Sequence, residues 1–174
     1  MLSVYPTEQS RGLLRFENQE YPCAIGLNGI QQEKREGDGA TPIGEFLLRR
    51  VFYRPDRLPL PTSGLPLRAL TPDDGWCDDP LHRDYNRLVE RPFKASHEKL
   101  WRTDNLYDVI IVIGHNDDPP RPPLGSAIFV HCATSDYAPT QGCVAVARQT
   151  LIDLLPRLTP DMALQVTGSQ GAAP

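Results

Sequence analysis

The stretch SAIFVHCATSDYAPTQGCVAVA, residues 126–147, decides the fold. It holds two short apolar runs separated by a loop of turn-forming residues, which predicts two strands. The run YDVIIVIG, residues 107–114, is continuously apolar and predicts a third strand. Because strands that are apolar at every position are buried on both faces, we place these segments at the centre of a sheet.

The rest of the chain adds short strands and few helices. Apolar or alternating runs predict strands over residues 2–5, 12–16, 21–27, 44–54 and 163–166. The strongest helix pattern is RQTLIDLL, residues 148–155, which Pro156 ends. A second helix is predicted over ASHEKLW, residues 95–101, with Ser96 as its N-cap. We therefore predict a mainly β fold, a sandwich or barrel-like sheet with one or two short helices.

Length and composition bound the domain organisation. The chain has 174 residues, which corresponds to one domain. Proline (18) and glycine (13) are frequent, and seven of the prolines and both tryptophans fall in residues 55–105. We predict a single domain over residues 1–168, with a loop-rich insert at about 55–105 and a flexible tail over 169–174.

Charge and hydropathy exclude several classes of function. A net charge of −4 argues against a nucleic-acid partner and against a polybasic membrane anchor. No apolar run approaches the ~20 residues of a membrane span. The N-terminal MLSVYPTEQSRGLLRF has no basic segment followed by an apolar one, so we expect no signal peptide and no transmembrane segment in this sequence.

His131 and Cys143 are the densest pair of reactive residues. His131 ends one predicted strand and Cys143 begins the next element, where a scaffold presents catalytic groups. A nucleophilic thiol needs such a base, and the N–H groups of Gly142 and Cys143 suit an oxyanion hole. The alternative is that Cys143 is a buried structural thiol and that His131 only ends a strand. Spacing alone leaves both interpretations open.

Two other chemistries fit the sequence less well. His131-Cys132 begins the phosphatase signature HC-x5-R, but Ala138 stands where that signature needs arginine. A zinc site built from His115, His131, Cys132 and Cys143 lacks the usual CxxC or HxxxH spacing, so we predict no metal. Cys132 is expected to pack inside its strand.

At this point three segments, taken in order, resemble one known family. They are REGDGATPIGEF (35–46), GSAIFVHCA (125–133) and TQGCVAVA (140–147). Each is similar to a motif of the L,D-transpeptidases of the YkuD type, whose catalytic His and Cys correspond to His131 and Cys143. The motifs cover most of residues 1–54 and 107–166.

The resemblance implies a β-sandwich-like catalytic domain that acts on peptidoglycan. Cys143 would attack the carbonyl after meso-diaminopimelate in a stem peptide and form a thioester, while His131 exchanges the proton. The amine of a second stem would then take the acyl group. The carbonyl of Cys132 would orient the imidazole. The resemblance implies no cofactor and a periplasmic location; a cytoplasmic location is the alternative, since no signal peptide is seen. We expect a monomer.

Several positions depart from the family's pattern. Cys132 stands where the family often has Gly, Gln141 where it often has His, and Ala145 where it usually has Arg or Asn. The loop between His131 and Cys143 is also shorter than usual. These departures indicate an atypical branch. Some atypical members join the first residue of one stem, L-Ala, to the third residue of another, rather than third to third.

The insert is interpreted as a cap over Cys143. Its acidic and aromatic side chains suit a peptide that carries an amine, because carboxylates attract ammonium groups. The alternative is that Trp76 and Trp101 only anchor a loop to the core. The predicted substrate-binding residues are Trp76, Asp78, Asp79, Tyr85, Asn86, His115, Tyr137 and Gln141. The alternative functions are an L,D-carboxypeptidase that gives the acyl group to water and a non-catalytic cell-wall-binding module.

Overall fold

The structure is a computed structural model that describes residues 1–168; the predicted tail at 169–174 lies outside the described residues. The strands are β1 (Leu2–Glu8), β2 (Arg11–Phe16), β3 (Gln19–Ala24), β4 (Ile30–Gln31), β5 (Thr41–Pro42), β6 (Gly44–Tyr53), β7 (Leu67–Ala69), β8 (Asp74–Cys77), β9 (Leu88–Glu90), β10 (His97–Lys99), β11 (Val109–Ile113), β12 (Phe129–Cys132), β13 (Val144–Val146) and β14 (Ala163–Val166). A helix α1 (Arg148–Leu154) continues into a 3-10 turn, Leu155–Arg157.

The main sheet closes on itself. In the described residues it has nine strands in the order β11-β12-β13-β3-β2-β1-β14-β6-β7, and an additional pairing of β11 with β6 joins eight of them into a ring, with β7 beside β6 outside the ring. Closure removes the exposed edges that an open sheet would present. The predicted mainly β, barrel-like fold is confirmed.

Strand β11 shows why the central strands read as continuous apolar runs. Val109, Ile111 and Ile113 pack into the interior of the sheet, in one hydrophobic cluster. Ile110 and Val112 belong to a second cluster, formed with aromatic residues that include some from the insert. Since alternate residues of a strand face opposite sides, both faces of β11 are buried. Each fully buried Val or Ile side chain contributes about 1.5–3 kcal/mol.

The insert contains regular structure. Strands β8, β9 and β10 form a three-stranded sheet in the order β10-β8-β9, and β7 pairs with β6 of the main sheet. The expectation of a mostly structureless, loop-rich insert is thus corrected in part. The sequence does not predict these strands, because each has only three or four residues, too few to show the alternation typical of a strand.

The prediction of a helix over residues 95–101 is wrong. Residues His97–Lys99 form β10, in which Glu98 pairs with Trp76 of β8. A seven-residue helix is too short to be stable without packing, and pairing with β8 satisfies the same backbone groups. The helix predicted over 148–155 is confirmed as α1, and its buried Leu151 and Leu154 pack into the main core.

A buried carboxylate joins the insert to the main sheet. Asp108, which is fully buried, accepts hydrogen bonds from Arg57 of the insert and from Arg148 of α1, each at 2.8 Å. Its carbonyl also accepts the N–H of Arg54 at 3.0 Å. The start of the insert is therefore fixed beside β11 and α1. In the described residues, no helix has the length and apolar character needed to cross a membrane.

Candidate active site

A cavity of about 440 Å³ lies where the ends of β12 and β13 meet the insert. Both Cys143 and His131 line it, as the sequence predicts for a nucleophile and its base. The insert contributes polar groups and the segment before β12 contributes backbone. The lining residues are Glu36, Gly37, Asp78, Glu98, Arg102, Leu106, Tyr107, Ser126, Ala127, Ile128, His131, Thr134, Ala138, Pro139, Thr140, Gln141, Cys143 and Ala145.

The thiol of Cys143 is held by the backbone of the strand beside it. The Sγ–H donates to the carbonyl of Ala127 at 3.2 Å, and the N–H of Phe129 donates to Sγ at 3.3 Å. Burial raises the pKa of Cys143 to about 12, and the negative charge of Glu98 acts in the same direction. The resting thiol is therefore protonated at neutral pH and points along a fixed direction.

The imidazole of His131 is fixed in one tautomer. Its Nδ1 lies 2.9 Å from the carbonyl oxygen of Cys132, and because a carbonyl only accepts, Nδ1 carries the hydrogen. The other nitrogen, Nε2, then holds the basic lone pair. Burial lowers the pKa of His131 to about 4, so the ring is neutral at pH 7. Tyr107 packs edge-on against it, with ring centroids 5.1 Å apart.

Parallel pairing brings the two elements together. His131 of β12 pairs with Ala145 of β13, two residues after Cys143, so both side chains reach the same cavity. A neutral imidazole with an available Nε2 suits the transfer of a proton from a thiol during attack on a carbonyl. The arrangement fits acyl transfer through a thioester.

Thr140 braces the turn that carries the nucleophile. Its hydroxyl donates to the carbonyl of Cys143 at 2.6 Å and accepts the N–H of Gly142 at 3.1 Å. The Gly142 N–H that the sequence offered to an oxyanion hole is therefore engaged. Gly142 has φ of 134°, and a Cβ there would lie 2.7 Å from the carbonyl oxygen of Ala40, so the position requires glycine.

The motif at residues 35–46 supports the same turn from behind. The Thr41 hydroxyl accepts the N–H of Gly26 at 2.8 Å. On either side of Gly26, the N–H of Leu27 donates to Thr140, and Ile25 accepts the N–H of Thr140, at 2.9 and 3.0 Å. The motif is thus a structural support for the Cys143 turn, connected through residues 25–27.

Asn86 holds the other wall of the nucleophile site. Its Oδ1 accepts from the indole of Trp76 at 2.9 Å and from the N–H of Ala127 at 3.1 Å. Its Nδ2 donates to the carbonyls of His115 and Asn116, at 3.0 and 2.7 Å. Ala127 has φ of 52°, which is costly for a residue with a Cβ. Asn86 holds it in the conformation in which its carbonyl meets the thiol.

Two of the predicted substrate-binding residues, Asp78 and Gln141, line the Cys143 cavity. Three others line a separate cavity of about 370 Å³: Trp76, Asn86 and His115. His115 is buried, bonded at Nε2 to the carbonyl of Leu124 at 3.0 Å and packed edge-on against Phe46. The expectation that His115 lines the catalytic cleft is therefore corrected.

The remaining predicted contacts have structural partners. Tyr85 is buried and its hydroxyl donates to Glu36 at 2.5 Å. The carboxylate of Asp79 accepts the N–H of Leu81 at 2.9 Å, a local turn contact. Neither residue, nor Tyr137, is among the residues that line the Cys143 cavity.

Sequence reasoning missed four charged or aromatic residues of the cavity wall. Glu36, Glu98, Arg102 and Tyr107 all line it. The sequence predicts Glu98 inside a helix and Tyr107 inside an apolar strand, and neither prediction gives the residue a role in a site. These residues lie far in the sequence from the Cys143 motif, and a single sequence does not reveal which distant residues come together in the fold. In residues 1–168, no group of three or more His, Cys, Asp or Glu side chains is placed to hold a metal.

The comparison with family models agrees with this geometry. The model of YkuD, described as an L,D-transpeptidase catalytic domain, matches residues 4–166. The chain belongs to the YkuD family. The match covers the barrel-like sheet except for the first two residues of β1, the insert and both Cys143 and His131, and it confirms the resemblance carried by the three sequence motifs. A search of curated proteins finds no match to this chain.

Proposed function

We propose that this YkuD-family protein is a peptidoglycan L,D-transpeptidase in which Cys143 is the nucleophile and His131 the general base. One observation carries the proposal: Cys143 and His131 line one cavity, with the imidazole oriented by the Cys132 carbonyl so that Nε2 is the basic nitrogen. The donor is a stem peptide, cleaved at the carbonyl that follows meso-diaminopimelate.

In the first half-reaction, Sγ attacks that carbonyl and its proton moves to Nε2 of His131. The tetrahedral intermediate collapses when the leaving amine takes the proton from the imidazolium. The products are a thioester that joins the shortened donor stem to Cys143 and the released residue that carries the leaving amine. Because the resting thiol and imidazole are both neutral, proton transfer accompanies the attack rather than preceding it.

In the second half-reaction, the amine of an acceptor stem attacks the thioester. The amine proton passes to His131 and then to the departing Sγ, which restores the thiol. The family's usual arginine two residues after the nucleophile is replaced by Ala145, which lines the cavity, and this supports an altered substrate choice. Third-to-third and first-to-third cross-links remain the two alternatives. We further propose a role in cell-wall biogenesis, a periplasmic location and a monomeric state.

The decisive experiment is incubation of the protein with disaccharide-tetrapeptide, followed by mass spectrometry of the products. We expect cross-linked dimers, and fragmentation gives the bond that is formed. Trimmed monomers without dimers would indicate the carboxypeptidase, since water would then be the acceptor. Unchanged substrate, with no adduct on Cys143, would favour a non-catalytic cell-wall-binding module.

Two variants assign the chemistry. Cys143→Ala is expected to abolish product formation and His131→Ala to reduce it by about 10²–10⁴-fold, the usual contribution of a general base. Cys77→Ala is the matched control, because it removes a buried thiol of the insert that does not line the cavity. Dimers formed at the wild-type rate by Cys143→Ala would contradict the proposal.

A further inference from the structure

The wall of the Cys143 cavity is rich in negative charge. Glu36, Asp78 and Glu98 line it, together with Arg102. Arg102 is already neutralised, since its guanidinium makes hydrogen bonds of 2.6–3.1 Å to the carboxylate of Asp104. The cavity is therefore suited to a cationic group of a ligand and unsuited to an anionic one.

Glu98 is the carboxylate that acts on the nucleophile. It accepts a hydrogen bond at Oε1 from the hydroxyl of Tyr107, whose ring packs against His131. Its charge contributes to the raised pKa of Cys143, and burial raises the pKa of Glu98 itself. In the part of the chain that the structure describes, no Lys, Arg or His forms an ion pair with Glu98.

The other two carboxylates differ in their engagement. Glu36 accepts the Tyr85 hydroxyl through Oε2. Asp78 has a buried oxygen, Oδ1, with no hydrogen-bond partner among residues 1–168. A buried carboxylate oxygen without a donor is costly, so a donor from a bound ligand would offset that cost. Asp78 and Glu98 come from β8 and β10 or their immediate ends, which are neighbouring strands of the insert.

We propose that Glu98, assisted by Asp78, binds the ammonium group of the acyl acceptor, so that the insert selects an amine over water as the acceptor. This inference rests on the proposed function of the same cavity. A carboxylate beside a nucleophilic thiol opposes ionisation of that thiol, which is unfavourable for catalysis unless a cation joins it. An ammonium between Glu98 and Sγ supplies that cation, whereas a neutral water does not.

The transfer step balances as follows. The acceptor arrives as R–NH₃⁺ paired with Glu98 and loses one proton to solvent, leaving R–NH₂. Its lone pair forms the C–N bond at the thioester carbonyl, and the C–S bond breaks with its electrons on Sγ. The nitrogen passes its surplus proton to Nε2 of His131, and the imidazolium returns that proton to Sγ. The sum is thioester plus R–NH₃⁺ giving amide, thiol and one proton.

The test compares Glu98→Gln and Asp78→Asn with wild type in the disaccharide-tetrapeptide reaction, with the acceptor concentration varied. We expect the ratio of cross-linked dimer to hydrolysed monomer to fall about 10- to 100-fold in Glu98→Gln, the loss typical of a hydrogen bond to a charged group. The rate at which Cys143 is acylated by the donor should rise in Glu98→Gln, because the negative charge that opposes ionisation of Sγ is removed. Glu90→Gln is the matched control, since Glu90 lies on β9 of the same small sheet and is exposed outside the cavity.

A wild-type product ratio in both Glu98→Gln and Asp78→Asn would overturn the inference and leave the transpeptidase proposal intact. A binding measurement separates the two proposals if no product forms at all. Free meso-diaminopimelate is titrated into the protein and its dissociation constant is read by NMR. A dissociation constant raised about tenfold in Glu98→Gln, but not in Glu90→Gln, supports the ammonium site; equal constants in all three proteins exclude it.

Discussion

The hydroxyl oxygen of Thr140 lies 2.6 Å from the carbonyl oxygen of Cys143 and 3.1 Å from the amide nitrogen of Gly142. One side chain thus donates to the nucleophile's own carbonyl and accepts from the residue before it. This closes the turn over four residues and leaves its backbone little freedom.

Thr140→Val should misplace the nucleophile with little change in shape. The substitution keeps the branched side chain but leaves a buried carbonyl and a buried N–H without their partner, at about 1–3 kcal/mol. We expect a comparable loss of unfolding free energy in urea and a 10- to 100-fold slower formation of the acyl-enzyme. Thr140→Ser keeps the hydroxyl and should restore the rate, so a fast Val variant would contradict the bracing role.

The pH dependence of thiol alkylation should show a neutral resting pair. Burial places the pKa of Cys143 at about 12 and that of His131 at about 4, so no thiolate–imidazolium pair exists between these values in the free protein. The thiolate fraction, and with it the rate of reaction with iodoacetamide, should rise about tenfold per pH unit from pH 7 to 10. Cys143→Ala gives the background from Cys23, Cys77 and Cys132. A plateau below pH 8 would show a preformed ion pair instead.

The core of the fold was predictable because its signal is local. The run Val109–Ile113 is apolar at every position, and that pattern has few other solutions at strand length. The helix Arg148–Leu154 likewise carries its own period and its own stop. Residues His97–Lys99 carry neither, and their conformation comes from β8, some twenty residues earlier in the chain. Local propensity therefore gave a helix where tertiary pairing makes a strand.

The residues of the candidate site also divide into those with a local sequence signal and those placed by distant parts of the chain. Cys143, His131 and Cys132 lie in motifs that a sequence displays, and the Nδ1 contact to Cys132 spans one peptide unit. Glu98, in the insert, and Tyr107, just before β11, line the same cavity but lie far from these motifs in the sequence. Conversely, Asn86 is one of the predicted substrate-binding residues, but the sequence does not reveal that its side-chain amide binds backbone groups rather than substrate.

Removal of the Asn86 amide should weaken both the fold and the nucleophile site. Asn86→Ala deletes four hydrogen bonds, among them the one to the N–H of Ala127, and places alanine at a φ of 56°. We expect a loss of about 3 kcal/mol in the urea unfolding free energy. Acylation of Cys143 should also slow, because the Ala127 carbonyl no longer holds the thiol. Asn18→Ala, at an exposed turn, is the matched control and should change neither quantity.

Loss of the buried Asp108 carboxylate should lower the free energy of unfolding more than loss of one of its arginine partners. Asp108 is fully buried and each of its oxygens takes one arginine, so Asp108→Asn turns an amide NH₂ toward a guanidinium and leaves that cation unpaired. The expected cost is about 3–5 kcal/mol of unfolding free energy, the range for a broken buried pair. The comparison is Arg148→Gln, which takes one partner from the buried carboxylate but leaves Arg57 in place, so its cost should be smaller, about 1–3 kcal/mol. Urea titrations of the two variants measure this order. Equal losses in both would show that Asp108 does not anchor the insert through its buried carboxylate.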